Sequence, residues 1–537
     1  MMKCKGIITS ILIALLLASL LPIVYANDGN SILRLGLTKG DFTIMNPTVQ
    51  PWHDANFFGV THVPLVLFDL NLSIAPCLAE KWVINPDGRS IKFYLAQNAS
   101  WHDGVPITAE DVAFTIDYWR KNEIGSEGFW YKSYLDRVDV LDNHTVTVAF
   151  NEPIALDALI AQIPGTAIMP KHIWENVVSP KDYDGKDAMI GCGPFIFEKF
   201  DKDADVVYLK SNVNYFAGKS TVDEIQWQHF KTLESLLLAL KAGEIDAQFE
   251  YYNPVPGAYI ANLLGANNVE LSAVPDIGVP LHLVFGYKKY PTNLTEFRQA
   301  VSYAIDYQAL VDMIVAGYGE VPRKGYYPPT VQGYNSDLPD LKYDPDKAKE
   351  ILDGLGFLDQ DEDGFRESPD GKRLCIPITP RTAQPSMVRA AEVISSQLQK
   401  VGLDTYVEVL SKEAESKKTF QDRDYYISIG YCTPFGNIIA EGAANYFTDM
   451  PGMYGTCNDS ELISLVKGAI QSKDIHELKT CRNLIQEYIS RELPAIALVW
   501  GNAVYPYRND HWDGWSSMYG YGPVNYWTWF NLEEIQY

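Results

Sequence analysis

The sequence lacks the short motifs that mark most hydrolases and metalloproteases. Its nine histidines are scattered over 537 residues, and it contains no G-x-S-x-G, no H-E-x-x-H and no cysteine with a neighbouring histidine pattern. The one short match to a phosphate-binding loop, Gly218-Lys219-Ser220, has Val213 where that motif requires its first glycine. These absences argue against catalysis and against nucleotide binding. Paired carboxylates for glycoside hydrolysis stay open as an alternative, because any two acids can meet in a cleft.

Basic residues are also scarce. The chain has 44 Lys and Arg against 68 Asp and Glu, which gives a formal net charge of −24. A surface of this charge repels phosphate backbones, so nucleic acid is excluded as a partner. The acidity does not identify a ligand, because it is common among exported proteins.

Long apolar runs are absent after the first 26 residues. Lys3 and Lys5 precede an apolar stretch over residues 7–21, and small residues end at Ala26. This order is typical of a secretory signal peptide, so we expect cleavage, export and a location on the periplasmic or extracellular face of the membrane. A short membrane anchor is the alternative. Cys4 precedes the apolar stretch, which disfavours a lipid anchor.

Cysteines are few and widely spaced. Their spacing fits neither a zinc site nor a dense disulfide framework. We consider a disulfide from Cys457 to Cys481 or to Cys432, with buried free thiols as the alternative. The six that follow the apolar stretch are Cys77, Cys192, Cys375, Cys432, Cys457 and Cys481.

Strand-like and helix-like segments alternate along the rest of the chain. Alternating apolar residues predict strands at Ser31 to Leu37 and at Phe68 to Ile74. Thr108 and Asp111 form a capping box before a helix, and another helix from Leu233 ends at Gly243. A chain of this length exceeds what one hydrophobic core holds, so we predict an α/β protein of two or three lobes.

Five of these segments together resemble a known family, the family 5 extracellular solute-binding proteins of dipeptide, oligopeptide, nickel and oligosaccharide importers. Each segment alone is weak evidence, but the set follows the family's order and spacing over nearly the whole chain. The segments are Trp101 to Val112, Gly191 to Phe195, Asn212 to Lys219, Leu238 to Asp246 and Phe297 to Asp306.

The resemblance implies a periplasmic-binding-protein-like α/β fold, with two lobes that close by a hinge around a ligand cleft. It also implies three domains. The expected boundaries are residues 27–60, 186–275 and 506–537 for domain I, residues 61–185 for an inserted domain II, and residues 276–505 for domain III, after a signal peptide at residues 1–26.

The function implied by the resemblance is that of a receptor, not an enzyme. We expect a monomer that captures an oligopeptide or oligosaccharide and delivers it to the permease subunits of an ABC importer. A ligand-sensing or adhesion protein on the same fold is the main alternative, and a secreted hydrolase is the other. In peptide-binding relatives an aspartate holds the α-amino group of the peptide, but the corresponding stretch here, Gly430 to Asn437, contains no Asp or Glu. This departure disfavours peptides with a free N-terminus.

Aromatic residues near the expected cleft loops are the candidate ligand contacts. Rings can stack on sugar faces or pack on apolar side chains. Core packing is the alternative for each, and we expect two or three of them to line the cleft. The candidates are Trp52, Trp130, Tyr251, Tyr252, Tyr431 and Phe435.

An acidic segment over residues 359–370 has the spacing of a calcium loop. Asp occupies its first, third, fifth and twelfth positions and Gly its sixth. A solvated acidic turn is the alternative. We expect structural calcium and otherwise no cofactor, with ligands from Asp359, Asp361, Asp363, the Phe365 carbonyl and Asp370.

Overall fold

A computed structural model describes residues 31–38, 45–49, 52–251, 253–331, 333–382, 384–432, 457 and 459–535 of the chain. Within these residues helices and strands alternate, which confirms the predicted α/β class. None of the helices in these ranges is long and apolar enough to cross a bilayer.

The strands are short, apart from one of 14 residues near the C-terminus. In chain order they are β1 (Ile32–Leu37), β2 (Val66–Phe68), β3 (Ile74–Pro76), β4 (Ala79–Ile84), β5 (Ser90–Leu95), β6 (Leu135–Asp142), β7 (Thr145–Phe150), β8 (Phe195–Asp201), β9 (Val206–Ser211), β10 (Glu224–His229), β11 (Ala247–Gln248), β12 (Val269–Pro275), β13 (Val279–Phe285), β14 (Gly319–Glu320), β15 (Ile376–Pro380), β16 (Thr405–Val407), β17 (Ile427–Cys432), β18 (Ala495–Arg508), β19 (Trp512–Asp513) and β20 (Glu533–Glu534).

The helices flank these strands. In chain order they are α1 (Trp52–Phe57), α2 (Ala109–Asn122), α3 (Gly125–Tyr134), α4 (Ala155–Ala161), α5 (Lys171–Trp174), α6 (Leu233–Ala242), α7 (Gly257–Leu263), α8 (Thr295–Ala304), α9 (Tyr307–Ile314), α10 (Pro345–Gly354), α11 (Pro385–Gln399), α12 (Lys412–Ser416), α13 (Ser460–Ile470), α14 (Ile475–Glu492) and α15 (Thr528–Asn531).

One large sheet connects the two ends of the molecule. Its main path runs β16-β15-β17-β13-β18-β11-β1-β10-β9-β8, and β12 and β14 also pair with β18. The first half of β18 pairs with β13 and its second half with β12, both antiparallel. We call the described residues of 276–505 the C-lobe and the other described residues the N-lobe. The strand β18 therefore passes from one lobe into the other.

The chain crosses between the lobes a second time at Asp276, between β12 and β13. The Asp276 carboxylate accepts a hydrogen bond from the Gly278 backbone N at 3.0 Å, and its carbonyl accepts one from the Thr330 hydroxyl at 2.7 Å. Its own backbone N donates to the Gly501 carbonyl on β18 at 3.2 Å. The two crossing segments are thus hydrogen-bonded to each other, as expected of a hinge made of two strands.

The strand β1 shows why the N-lobe part of the sheet forms. Leu33, Leu35 and Leu37 are at most 1% exposed, and β1 lies between β10 and β11, to both of which it is parallel. Parallel central strands are covered on both faces, which favours apolar sequences of this kind. The strand prediction at this position is confirmed.

The signature segments of the sequence hold the N-lobe together by close backbone contact. The capping box of Thr108 and Asp111 is present at the start of α2. A Cβ on Gly191 would collide with the Thr61 carbonyl, and one on Gly193 with that of Val60. These motifs act in folding, so their presence does not identify a ligand.

His102, from the same signature, joins these glycines. Its Nδ1 accepts from the Gly191 backbone N at 3.2 Å, and its Nε2 lies 3.1 Å from the Gly193 carbonyl, which requires a neutral ring with the proton on Nε2. Burial lowers the pKa of His102 to about 4, which is consistent with that state.

Two sequence predictions of strands differ from the structure. The predicted strand Phe68 to Ile74 is the hairpin of β2 and β3, because the Asp69 side chain accepts from the backbone N of Asn71 and of Ser73 and so stabilises a tight turn. The alternation of residues 245–249 also predicts a strand, but only the two residues of β11, Ala247–Gln248, form one. The domain boundaries stay a prediction, and β18 continues across the one expected at residues 505 and 506.

The disulfide hypothesis for Cys457 and Cys481 is wrong, because both thiols are free. The Cys457 Sγ instead lies 3.1 Å from the hydroxyl of Tyr488 on α14. The alternative pairing of Cys457 with Cys432 is wrong as well, because the Cys457 thiol is free.

Candidate ligand-binding cleft

Each lobe has parallel strands in the large sheet. In the N-lobe β1 runs parallel to β10 and β11, and in the C-lobe β15 runs parallel to β16 and β17. In open α/β sheets, ligands bind outside the carboxyl ends of parallel strands. Charged and aromatic side chains lie at both of these ends.

The carboxyl end of the N-lobe strands borders a pocket, which we call the N-lobe pocket. Its size allows about one water-sized group. Aromatic and acidic side chains share its wall. The lining residues are Leu37, Asp54, Ala55, Trp227, Phe249, Glu250 and Tyr251.

The Glu250 carboxylate of this pocket is held in place by amide groups. It accepts hydrogen bonds from the Thr38 backbone N and from the Asn253 side chain. The Asn253 carbonyl in turn accepts from the side chain of Gln248 at 2.8 Å. The residue Glu250 is only 5% exposed, so its carboxylate has a fixed position. A fixed, buried carboxylate favours a cationic or hydrogen-bond-donating neighbour.

A histidine lies between two acids beside the same pocket. His53 Nδ1 is 3.7 Å from Asp54 Oδ1, and its Nε2 is 3.9 Å from Glu127 Oε2. Burial lowers the pKa of His53, but the hydrogen bond to Asp54 and the negative charges of Glu127 and Asp54 outweigh it, and the net pKa is raised above 6.5. Gly125 and Gly165 leave room for the Glu127 carboxylate, because a Cβ on either would crowd its oxygens.

Aromatic rings surround Tyr251 on the other side of the pocket. Its ring centroid lies 5.0 Å from Phe57 and 5.4 Å from Tyr521, and Trp227 and Phe249 pack with centroids 5.0 Å apart. Burial raises the pKa of Tyr251, so its hydroxyl stays protonated. This wall is apolar and rigid, with protonated hydroxyl groups at its edge.

The carboxyl end of the C-lobe strands has the opposite charge. Arg381 follows β15, and its Cζ lies 4.6 Å from the ring centroid of Tyr431 and 5.4 Å from that of Phe420. We call these three residues the C-lobe arginine site. The guanidinium has no ion pair and no hydrogen-bond acceptor within the described part of the chain, and its Nε is buried. Among the described residues, the two rings make its close side-chain contacts, which are of the cation–π type.

Two further titratable groups lie near Arg381. The Glu415 residue is 3% exposed, and burial raises the pKa of its carboxyl although the charge of Arg381 lowers it. His282 is fully buried, and burial together with the charge of Arg381 lowers its pKa to about 3, so it is neutral. Its Nδ1 lies 2.6 Å from the Tyr326 hydroxyl.

The structure separates the six aromatic candidates. Tyr251 lines the N-lobe pocket and Tyr431 contacts Arg381. Tyr252 and Phe435 lie outside the described residues.

The prediction for Trp52 is wrong. It begins α1 instead of lying in a loop, and it is 0% exposed in the core, edge-on to Phe197 and Trp227 at 5.8 Å. Trp130 packs against Tyr134 and Phe150 in the same core and is not among the pocket residues. Large aromatic rings bury most area in a core, which explains both outcomes.

The most informative charged residues were not predicted from the sequence. Asp54, Glu250 and Arg381 are single charges in segments without a motif. Arg381 comes directly after a strand of apolar residues, and that position at a strand's carboxyl end is the signal that could have identified it.

The acidic segment brings together three of its four predicted carboxylate ligands. Oxygens of Asp359, Asp361 and Asp363 lie within 4.8 Å of one another, and all three residues are exposed. Asp370 does not join them, because it pairs with Lys372 and accepts from the Ser368 hydroxyl at 2.5 Å. The role of Asp370 as the ligand at position twelve stays a prediction.

The remaining contacts of the loop are internal. The Phe365 backbone N donates to Asp363 at 2.9 Å, and Arg373 forms an ion pair with Asp363. The Arg373 side chain also lies over the Phe365 ring, with Cζ at 4.4 Å. Three clustered carboxylates are the ligand type that calcium prefers, but a bidentate ligand at position twelve is missing.

Comparison with known proteins agrees with this architecture. The family model described as "Bacterial extracellular solute-binding proteins, family 5 Middle" matches residues 73–448. The dipeptide-binding protein of Escherichia coli is 28% identical over 352 residues, which is 62% of this chain and 63% of that protein. The heme-binding protein A of Haemophilus influenzae is 26% identical over 62% of this chain and 61% of its own length. The matches thus span somewhat less than two thirds of these relatives.

Solved structures show the same fold. A periplasmic oligopeptide-binding protein of Thermotoga maritima superposes with a TM-score of 0.80 at 23% identity, over 95% of this chain and 100% of that one. The mannohexaose-bound structure from the same organism gives a TM-score of 0.71 at 23% identity, over 95% and 99%. The family model covers more than half of the sequence, and the fold is that of its structural neighbours. This chain belongs to the bacterial extracellular solute-binding proteins, family 5.

Proposed function

We propose that this protein is an extracytoplasmic receptor that captures a short peptide between its lobes and delivers it to the permease of an ABC importer. Family membership, the two crossing strands and the two carboxyl-end sites support a binding protein with a hinged cleft. The dipeptide- and oligopeptide-binding relatives support a peptide as the cargo.

The observation that carries the ligand class is the C-lobe arginine site. A guanidinium between two rings, without an acceptor in the described part of the chain, is suited to binding a carboxylate. Glu415 lies close enough to interact with this charge, but burial raises its pKa and so disfavours its ionised form. A peptide supplies the missing acceptor through its C-terminal carboxylate, whereas a neutral oligosaccharide does not.

Native mass spectrometry of the purified protein followed by calorimetry tests the proposal. We expect a co-purifying peptide, or binding of short peptides with a free C-terminus, and a raised melting temperature by mass action. Peptides amidated at the C-terminus should bind more weakly. If no peptide pool binds, the peptide assignment is wrong.

An oligosaccharide is the second candidate. The mannohexaose-bound neighbour and the aromatic walls of both sites favour it, since rings stack on sugar faces. Mannohexaose in the same calorimeter distinguishes the two candidates, because its binding does not depend on a carboxylate.

We propose the cellular setting on the same grounds. The protein acts as an exported monomer on the periplasmic or extracellular face of the membrane, without catalysis. Fractionation of the source cells and incubation with peptide followed by mass spectrometry test these two statements. Peptide cleavage would contradict the receptor role.

We also propose that the acidic loop binds a structural calcium ion through Asp359, Asp361 and Asp363. The closeness of their oxygens supports this. The ion would replace the internal pairing of Asp363 with Arg373.

A further inference from the structure

The N-lobe pocket combines two carboxylates with three aromatic side chains. Asp54 and Glu250 line it together with Trp227, Phe249 and Tyr251. Aromatic faces attract cations through their ring quadrupole, and carboxylates attract them by charge. The carboxylates and the aromatic rings of the wall therefore both favour a cationic group.

The size and rigidity of the pocket favour a small cationic group. Its free space is about that of one water molecule, which is also about the size of a primary ammonium. The hydrogen bonds of Thr38 and Asn253 to Glu250 fix one carboxylate in advance. A preorganised acceptor loses less entropy when it binds a small donor.

We propose that the N-lobe pocket binds a primary ammonium group of the ligand, through Asp54, Glu250 and the Tyr251 ring. This rests on the proposed function, because it assumes a peptide-like ligand in the cleft. It also accounts for the stretch Gly430 to Asn437, which lacks the carboxylate expected to hold the amino group. The N-lobe supplies that carboxylate instead, and Arg381 in the C-lobe takes the negative end.

The ammonium can come from the N-terminus of a peptide or from a lysine side chain. Isothermal titration with matched pools of short peptides separates the two sources. One pool has free N-termini, one is N-acetylated, and one has norleucine in place of lysine. Acetylation should weaken binding about ten- to hundredfold if the N-terminus enters the pocket. Replacement of lysine by norleucine should weaken binding by the same factor if the lysine side chain enters it.

Two variants connect the effect to the pocket. Asp54→Asn and Glu250→Gln keep the shape of each side chain and should reduce the affinity for the ammonium-bearing pool about tenfold or more. They should leave the affinity for the capped pool within about twofold. Glu244→Gln changes an exposed glutamate of the same lobe and is the matched control, with no effect expected. The melting temperature of each variant checks that it is folded.

The outcomes separate the two proposals. If the wild-type protein binds no peptide, the peptide assignment and this inference both fail. If it binds peptides but neither acetylation, norleucine nor the two variants change the affinity, the ammonium site is wrong while the receptor stands. If Asp54→Asn and Glu250→Gln weaken binding of the capped pool as much as binding of the ammonium-bearing pool, the carboxylates act in packing and the inference is also overturned.

Discussion

The N-lobe pocket and the C-lobe arginine site occupy equivalent positions in the large sheet but carry opposite charges. Both lie outside the carboxyl ends of parallel strands, and both have aromatic walls. One presents Asp54 and Glu250, and the other presents Arg381. Equivalent strand ends of one sheet can thus present opposite charges, because single side chains and not the backbone topology determine the charge at each end.

Each lobe also contains a fully buried histidine. His62 in the N-lobe and His282 in the C-lobe are both 0% exposed, and burial lowers the pKa of each to about 3. Each is neutral in the folded protein at pH 7. Acid should therefore destabilise both lobes in the same way, although the N-lobe pocket and the C-lobe arginine site carry opposite charges.

The largest effect that we expect is this loss of stability in acid. The unfolded histidines have a pKa of 6.5, so the unfolded state binds more protons than the folded state from that pH down to about 3. The free energy of unfolding therefore has its full value above pH 6.5. Below that pH it should fall by about 1.4 kcal/mol per pH unit for each of these two histidines, and His102, whose pKa burial lowers to about 4, adds a similar slope down to that pH. Denaturant titrations between pH 7.5 and pH 5 measure this slope.

The variant His282→Gln checks the assignment in one lobe. It removes one of these groups and should make the slope less steep by about 1.4 kcal/mol per pH unit. His144→Gln, in the turn between β6 and β7, serves as the control and should leave the slope unchanged. An unchanged slope in His282→Gln would show that this histidine is not kept neutral.

The second largest effect should come from Arg381. Replacement of Arg381 by Met keeps an unbranched apolar stem but removes the charge, so the affinity for peptides with a free C-terminus should fall about hundredfold. Arg389→Met, on the exposed side of α11, is the matched control. Calorimetry with free and amidated peptides should show that the variant no longer distinguishes them. A variant that still prefers the free carboxylate would contradict the C-lobe site.

A smaller effect is expected from the aromatic wall of the N-lobe. Tyr251→Ala removes a ring beside the carboxylates and should weaken binding of ammonium-bearing peptides about fivefold to thirtyfold. Tyr251→Phe keeps the ring and should stay within about threefold of the wild-type affinity. If both variants lose the same affinity, the hydroxyl and not the ring is responsible.

The smallest effect should come from calcium, and it concerns the C-lobe alone. At a calcium concentration about ten times the Kd, the free energy of unfolding should rise by about 1.4 kcal/mol, which shifts the melting temperature by a few degrees. Asp361→Asn should abolish the shift, whereas Asp346→Asn on α10 should not. Absence of binding heat on adding calcium to chelator-treated protein would refute the site.

Local features were predictable from the sequence because neighbouring residues determine them. The capping box of Thr108 and Asp111 and the helix end at Gly243 involve groups within four residues of each other. Gly243 has a φ of +78°, which favours glycine at that helix end. The family and the α/β class follow from a series of such local signals.

The sites were less predictable because they depend on residues far apart in the sequence. The partners of Arg381 are Phe420 and Tyr431, and the pocket brings together Asp54, Trp227 and Glu250. No periodicity records these contacts. An aromatic residue also gives the same sequence signal in a core as in a cleft, which is why Tyr251 and Trp52 were predicted alike and lie in different surroundings.

The central claim is that the two lobes bind opposite ends of one ligand. Isothermal titration of one peptide in its free, N-acetylated and C-amidated forms against the wild type, Glu250→Gln and Arg381→Met tests it most directly. We predict that each cap weakens wild-type binding, that acetylation has no further effect in Glu250→Gln, and that amidation has none in Arg381→Met. Wild-type affinity that is unchanged by both caps would contradict the account.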